Sequence, residues 1–307
     1  MSNDSIQSWA DAIVRLHGAT FAPEGSALPS QPVPQAQRQE PAYLAALQAC
    51  SALGFIAIDA ETLACAWQAQ TLRRGRFEAT LWPDDPRDFG LEGADPALAF
   101  PDCPRSLGLY GVLPDAQWVG RMARAGVPTV QLRFKSEDRD AIAREVRAAV
   151  AAVEGTGALL FINDHWREAI DAGAYGVHVG QEDLDALAGA DLQAIHASGL
   201  RLGVSTHGYA EMVRAHAVQP SYIALGAVFP TTLKKMATAP QGLARLGAYV
   251  RLMQRYPLVA IGGISADQFP AVRATGVGSV AVVRALVNAE DPEAAAQQLL
   301  ASMHAAD

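Results

Sequence analysis

The chain has 307 residues, half of them hydrophobic, and a net charge of −8. That length holds one large domain, or one domain with a smaller companion, and the acidic balance excludes a general nucleic-acid surface. No apolar run reaches membrane-spanning length and the first residues lack the charged-then-apolar order of a signal peptide, so the expectation is a cytoplasmic protein without membrane or nucleic-acid partners.

Taken in order, Ile6, Trp9, Ala10, Ile13 and Val14 fall on one face of residues 6–17, which predicts a short amphipathic helix. Residues 22–41, rich in Pro, Gln and Ser, read as a linker or extended arm. Helical patterns follow over Tyr43–Leu53 and Glu61–Arg74. From Trp82 to Pro104 the chain is rich in Pro, Asp and Gly, and Trp82-Pro83-Asp84-Asp85-Pro86 signals a turn. Asp84, Asp85 and Asp88 could be metal ligands, but a solvated acidic loop is the expected reading. Cys50, Cys65 and Cys103 are odd in number and lack ligand spacing, which predicts unpaired thiols in a reducing compartment. Residues 1–106 contain no motif and are expected to form a small, mostly helical N-terminal extension.

From Leu107 a repeat begins. Short apolar runs lie at Leu107–Leu113, Pro128–Leu132, Ala158–Ile162, Gly176–Val179, Arg201–Val204, Ser221–Leu225, Leu258–Ile261 and Ser279–Val283. Helical patterns separate them, and Gly126, Gly173, Gly199 and Gly276 sit where left-handed helix ends would fall. Strands alternating with helices predict a parallel sheet. Eight such units in residues 107–307, without a Gly-x-Gly-x-x-Gly fingerprint, favour an α/β (β/α)8 TIM barrel over an open doubly wound sheet.

In such a barrel the chemistry lies at the C-terminal strand ends. Those positions carry Gln131, Arg133 and Lys135, then Asn163 and Asp164, then His178, Gln181 and Asp183, then Ser205, Thr206 and His207. Thr231, Thr232, Lys234 and Lys235 follow, then Gly262 and Gly263, then Val283 and Arg284. The only three lysines, Lys135, Lys234 and Lys235, belong to this set, and Lys is a common point-charge binder of phosphate. Asp164 or Asp183 alone would be read as a helix cap. Together with the lysines they suggest a site for Mg²⁺, which takes one or two carboxylates plus substrate phosphates. Gly262-Gly263 before a helix offers bare amides to a second anion. Ser205-Thr206-His207 reads as hydrogen-bonding or capping residues, because neighbours in sequence seldom form a nucleophile and base. His178, within an apolar strand, reads as a satisfied core histidine.

Gln131-Leu132-Arg133-Phe134-Lys135, Ile162-Asn163-Asp164, Gly176-Val177-His178-Val179-Gly180-Gln181-Glu182-Asp183, Gly203-Val204-Ser205-Thr206-His207, Val228-Phe229-Pro230-Thr231 with Lys234, and Ala260-Ile261-Gly262-Gly263-Ile264 resemble thiamine-phosphate synthase in order and spacing. The resemblance covers about residues 107–307. It implies joining of a hydroxymethylpyrimidine diphosphate to a thiazole phosphate by a dissociative, carbocation-type substitution that releases pyrophosphate. It implies that Arg133, Lys135, Asn163 and Lys234 bind the diphosphate, helped by Gln131 and Ser205. Lys234 and Ser205 would act at the reacting centre. Asp164 and Asp183 would bind Mg²⁺, while Thr231, Thr232, the Gly263 amide and the backbone at Val283 and Arg284 would hold the thiazole phosphate. Leu233 and Arg284 depart from the family's usual threonine and serine. A thiazole tautomerase, or a non-catalytic phosphate-ligand-binding homologue, are the alternatives, and a homo-oligomer is compatible with either.

Overall fold

Eight parallel strands close on themselves in chain order: β1 (Leu109–Leu113), β2 (Thr129–Leu132), β3 (Leu159–Asn163), β4 (Gly176–Val179), β5 (Arg201–Thr206), β6 (Tyr222–Leu225), β7 (Leu258–Ala260) and β8 (Ser279–Val282), with β1 pairing both β2 and β8. The computed structural model describes residues 3–21, 28–93, 95–231 and 238–304. The expected (β/α)8 barrel is therefore present. Helices follow the strands because each strand, nearly all apolar, needs cover on its outer face. After β4 the expected single helix is two, Gln181–Ala186 and Gly189–Ala197. Gly126, Gly173, Gly199 and Gly276 all have positive φ past helix ends, as expected.

The barrel interior is filled by rings set against glycines. Phe161 on β3 is registered with Gly176 on β4, and Gly203 on β5 with Tyr222 on β6. A Cβ at Gly176 would lie 2.5 Å from the Phe161 ring, and one at Gly203 would lie 2.2 Å from the Tyr222 ring. These strand glycines exist because a neighbour's ring occupies their side-chain volume. Residues 99–107 cross the opposite, N-terminal end of the barrel, where Asp102 O accepts from Arg201, Ser106 donates to Gly278 O and Leu107 N donates to Ser279 Oγ. Cys103 packs there against the interior rings, and burial pushes its thiol up to about 11. All three cysteines are unpaired.

The N-terminal region is helical, as expected, with α1 (Asn3–Phe21), α2 (Pro41–Ala52) and α3 (Ala57–Arg74). Its core centres on Trp82, whose ring meets those of His17, Phe21, Phe55 and Trp67 at 4.4–6.2 Å between centroids. Phe21, Phe55, Trp67 and Trp82 share one hydrophobic cluster with the outer layer of the barrel, so the region is a packed layer of the same core. The acidic loop is only partly the solvated one expected: Asp84 is exposed, but its neighbours are held in place. Asp88 is buried and takes a bidentate pair from Arg73 at 2.8 and 2.6 Å, and Asp85 caps the turn that follows it and pairs with Arg87. Buried carboxylates need such partners, and arginine's planar fork supplies two donors at once.

Asp59 on α3 is also buried, and its Oδ1 accepts from Ala210 N at 2.9 Å. Burial raises its carboxyl from an ordinary 3.8 to about 6, against the opposing pull of that amide and of Arg245. A carboxyl raised by folding favours the protonated native state. Its contribution is complete below pH 4 and is lost as pH rises through about 6. We expect the stability of the wild type relative to Asp59→Asn to fall by about 3 kcal/mol between pH 4 and pH 8. Urea unfolding of both proteins across that range checks it, and a pH-independent difference would contradict the assignment.

Candidate active site

The strand ends bring most of the predicted residues onto one rim. Lys135, just past β2, places Nζ 2.7 Å from Asp164 Oδ2. Asp164, at the end of β3, has φ 63°, a left-handed conformation rare outside glycine but tolerated by Asp and Asn. Its amide donates to His178 O at 2.9 Å, which ties the turn to β4. The side chain is therefore turned to the lysine rather than to the following helix, whose N-cap is His165 and which has no side-chain cap. Asp183, in the first turn of the helix after β4, faces Asp164 within hydrogen-bonding reach. Partial burial first, and the like charge of Asp164 second, push the Asp183 carboxyl above its ordinary value. Among the described residues, two carboxylates that repel each other stand beside one lysine, an arrangement that leaves room for a cation.

Below this rim runs a chain of polar groups across the barrel. Gln131 Nε2 donates to Tyr110 Oη at 3.0 Å, Tyr110 and Tyr222 share a hydrogen bond of 2.8 Å, and Tyr222 Oη meets His178 Nδ1 at 2.7 Å. His178 Nε2 then meets Ser205 Oγ at 2.8 Å. His178 is buried and satisfied, as expected of a core histidine, yet it also fixes Ser205. Ser205 is thus paired with a histidine on the neighbouring strand rather than with His207, whose Nδ1 pairs with Glu211 at 2.6 Å. The third group of the series is a tyrosine hydroxyl, where a hydrolytic triad has a carboxylate. Burial raises both tyrosine hydroxyls well above their ordinary value and keeps the chain neutral. Tyr110 and Tyr222 are not singled out by the sequence; a tyrosine hydroxyl inside an apolar run is the available signal.

Gln181 Nε2 donates to Ser205 O at 2.7 Å, and its Oε1 is buried with no partner among the described residues. Asn163 is buried at the end of β3, and Arg133 is half-buried beyond β2. On the far side of the rim, Phe229 N donates to Gly262 O and Val228 N to Ile261 O, which joins the loops after β6 and β7. Gly262 and Gly263 have φ of 102° and 67°, and a Cβ at Gly263 would lie 2.4 Å from Pro230 O. Thr231 lies beside this junction, half-buried. Val283 caps the short helix Arg284–Val287, and Arg284 is exposed at its first position. Thr232, Leu233, Lys234 and Lys235 lie outside the described residues. Among the described residues no group of three or more His, Cys, Asp or Glu could hold a metal, which leaves the Asp164–Asp183 pair as the available carboxylate site. No described helix is long and apolar enough to cross a membrane.

The family model described as thiamine monophosphate synthase matches residues 112–286. The thiamine-phosphate synthase of Neisseria meningitidis serogroup B (strain ATCC BAA-335 / MC58) is 59% identical over 183 residues, which is 60% of this chain and 88% of that one. The thiamine-phosphate synthase of Salmonella schwarzengrund (strain CVM19633) is 53% identical over 189 residues, 62% of this chain and 88% of that one. Among solved structures, thiamine phosphate pyrophosphorylase from Pyrococcus furiosus superposes with a TM-score of 0.59 at 28% identity, covering 66% of this chain and 98% of that one. The match spans more than half of the chain and the barrel agrees with it, and the chain belongs to the thiamine monophosphate synthase family.

Proposed function

We propose that the chain condenses hydroxymethylpyrimidine diphosphate with thiazole phosphate to give thiamine phosphate and pyrophosphate, in the cytoplasm. The observation that carries this reading is the facing pair Asp164 and Asp183 beside Lys135, a site built for a cation and a diphosphate together. Mg²⁺ fits the donor set: two hard oxygen ligands, repelling each other in its absence, with positions left for phosphate and water. When bound it would neutralise the diphosphate and favour pyrophosphate as leaving group.

The chain's own residues would then act by position. Lys135 exchanges its bond to Asp164 for one to the diphosphate, with Arg133, Asn163 and Lys234 completing the cradle. Gln131, fixed by Tyr110, and Ser205, fixed by His178, would flank the pyrimidine. Gln181 Oε1 is a buried acceptor left for an N–H donor of the substrate. The carbon–oxygen bond breaks with its electron pair leaving on pyrophosphate, and the thiazole nitrogen supplies the pair for the new carbon–nitrogen bond. No proton need be removed in this step. Thr231, Thr232, the Gly263 amide and the backbone at Val283 and Arg284 would hold the thiazole phosphate in line. A tautomerase would draw on His207, whose ring nitrogen is tied to Glu211, and would not need the paired carboxylates.

The test is formation of thiamine phosphate from the two purified substrates with and without Mg²⁺. We expect Mg²⁺-dependent product, falling about 100-fold in Lys135→Ala. A folded protein that binds both substrates and makes no product would sink the reading.

A further inference from the structure

The helix Tyr209–Ala217, which follows β5, has glycine at its N-cap and no cap of its own. Its first amides need acceptors. They are supplied from 151 positions away, by Asp59 on α3. The fit is close: a Cβ at Gly208 would lie 2.1 Å from Asp59 Oδ2, so the carboxylate occupies the volume that a side chain there would need. With φ 179° at Gly208, the requirement is space and not backbone conformation. The same helix is held again by Trp82, whose Nε1 donates to Tyr209 Oη at 3.0 Å, and by Phe89, stacked on Tyr209 at 5.6 Å.

A second tie reaches the next loop. Leu53 O, at the end of α2, accepts from Arg245 Nη2 at 3.0 Å, and the guanidinium lies 3.8 Å from the centre of the Phe55 ring. Gln241 Oε1 accepts from Arg245 at 3.4 Å and from Tyr249 Oη at 2.8 Å, while Gln241 N donates to Ala227 O at 2.8 Å. Gln241 closes the long connection that leaves β6 and carries Lys234. Both ties therefore land on the reactive end of the barrel: one on the helix start that follows Ser205, the other on Gln241 and the helix start that follows it.

We propose that the N-terminal layer is a positioning element for the synthase site, with Asp59 and the Leu53 carbonyl bracing the loops after β5 and β6. This rests on the synthase reading above. Asp59 is a positioning residue; it acts through Gly208 and the helix start on Ser205, and it acts on the pyrimidine side of the site alone.

The test compares wild type, Asp59→Ala and Asp59→Asn as full chains, by amide hydrogen exchange and by kinetics. Asn keeps an oxygen for the Ala210 amide, so it should restore what Ala loses. In Asp59→Ala we expect exchange at residues 207–212 to quicken about tenfold while β2 is unchanged. We also expect KM for the pyrimidine diphosphate to rise about fivefold, the loss of one helix cap, with KM for the thiazole phosphate within about twofold of wild type. Asp59→Asn should match wild type in both readouts. Exchange that is unchanged at 207–212, or raised equally in β2, overturns the proposal, as does an equal rise in both KM values. If Asp59→Ala does not fold, Gly208→Ala displaces the same carboxylate from the barrel side and is judged by the same readouts. A wild type that makes no thiamine phosphate refutes the synthase reading, whereas the exchange pattern needs no substrate and decides the brace independently.

Discussion

Asp164→Asn is expected to lower kcat for thiamine phosphate formation by about 10³-fold, with the Mg²⁺ concentration for half-maximal rate rising about tenfold or more. The substitution is well controlled. Asn accepts the left-handed backbone of position 164 as readily as Asp, so the turn held by the Asp164 amide to His178 O persists and only the charge is lost. Two consequences follow from that one charge. Asp183 loses the like-charge part of what raises its carboxyl, though not the part due to burial, and is left as a single carboxylate, too weak alone to hold a cation against water. Lys135 loses its partner and stands free to bind diphosphate directly. The diphosphate should therefore still bind, within about tenfold of wild type, while turnover collapses. Calorimetric titration of the diphosphate with and without Mg²⁺, beside steady-state kinetics, separates the two. Undiminished turnover in Asp164→Asn would remove the metal site from the mechanism.

The second large effect is on stability. Gly203→Ala should cost about 3 kcal/mol or more, a fall in Tm of roughly 6–10 °C. The new methyl group would sit 2.2 Å from the Tyr222 ring, and that ring has no room to retreat because Phe161 and Tyr110 flank it at centroid distances of 5.0 and 6.0 Å. Any shift of Tyr222 also breaks its bond to His178 and with it the support of Ser205. Thermal unfolding measures the first effect. A companion variant, Tyr222→Ala with Gly203→Ala, should recover part of the loss relative to Tyr222→Ala alone, since the added methyl fills the emptied volume. A Gly203→Ala protein as stable as wild type would show that the ring can move aside.

Much of this was readable from the residues. The alternation of apolar runs with helical patterns, punctuated by Gly126, Gly173, Gly199 and Gly276, specified a barrel because both periods are local. The gathering of Lys135, Asp164 and Asp183 followed from the barrel, since every strand end lands on one rim. What could not be read depends on register. His178 was correctly expected to be buried and satisfied, but its partner Ser205 lies 27 positions on and meets it only because His178 pairs with Gly203 across β4 and β5. Asp164 looked equally suited to capping, and only its φ turns it to the lysine. Asp88 looked solvated because nothing nearby in sequence shows that Arg73 will fold over it. Asp59 gave no signal at all, as its partner amide is on a helix more than a hundred residues away.

That last separation bears on how the chain is made. Asp59 and Leu53 leave the ribosome early, and their partners at Ala210 and Arg245 follow 151 and 192 residues later. At about 5–20 residues per second, the N-terminal helices wait roughly ten seconds or more before the surface that completes them exists. During that interval Trp82, Phe55 and Phe89 lack the barrel side of their packing, and the Asp59 carboxylate is solvated and ordinary. The nascent N-terminal layer thus keeps apolar rings uncovered until the middle of the barrel has been made. The Asp59 contact has to wait for the fifth strand of the barrel and the Leu53 contact for the sixth.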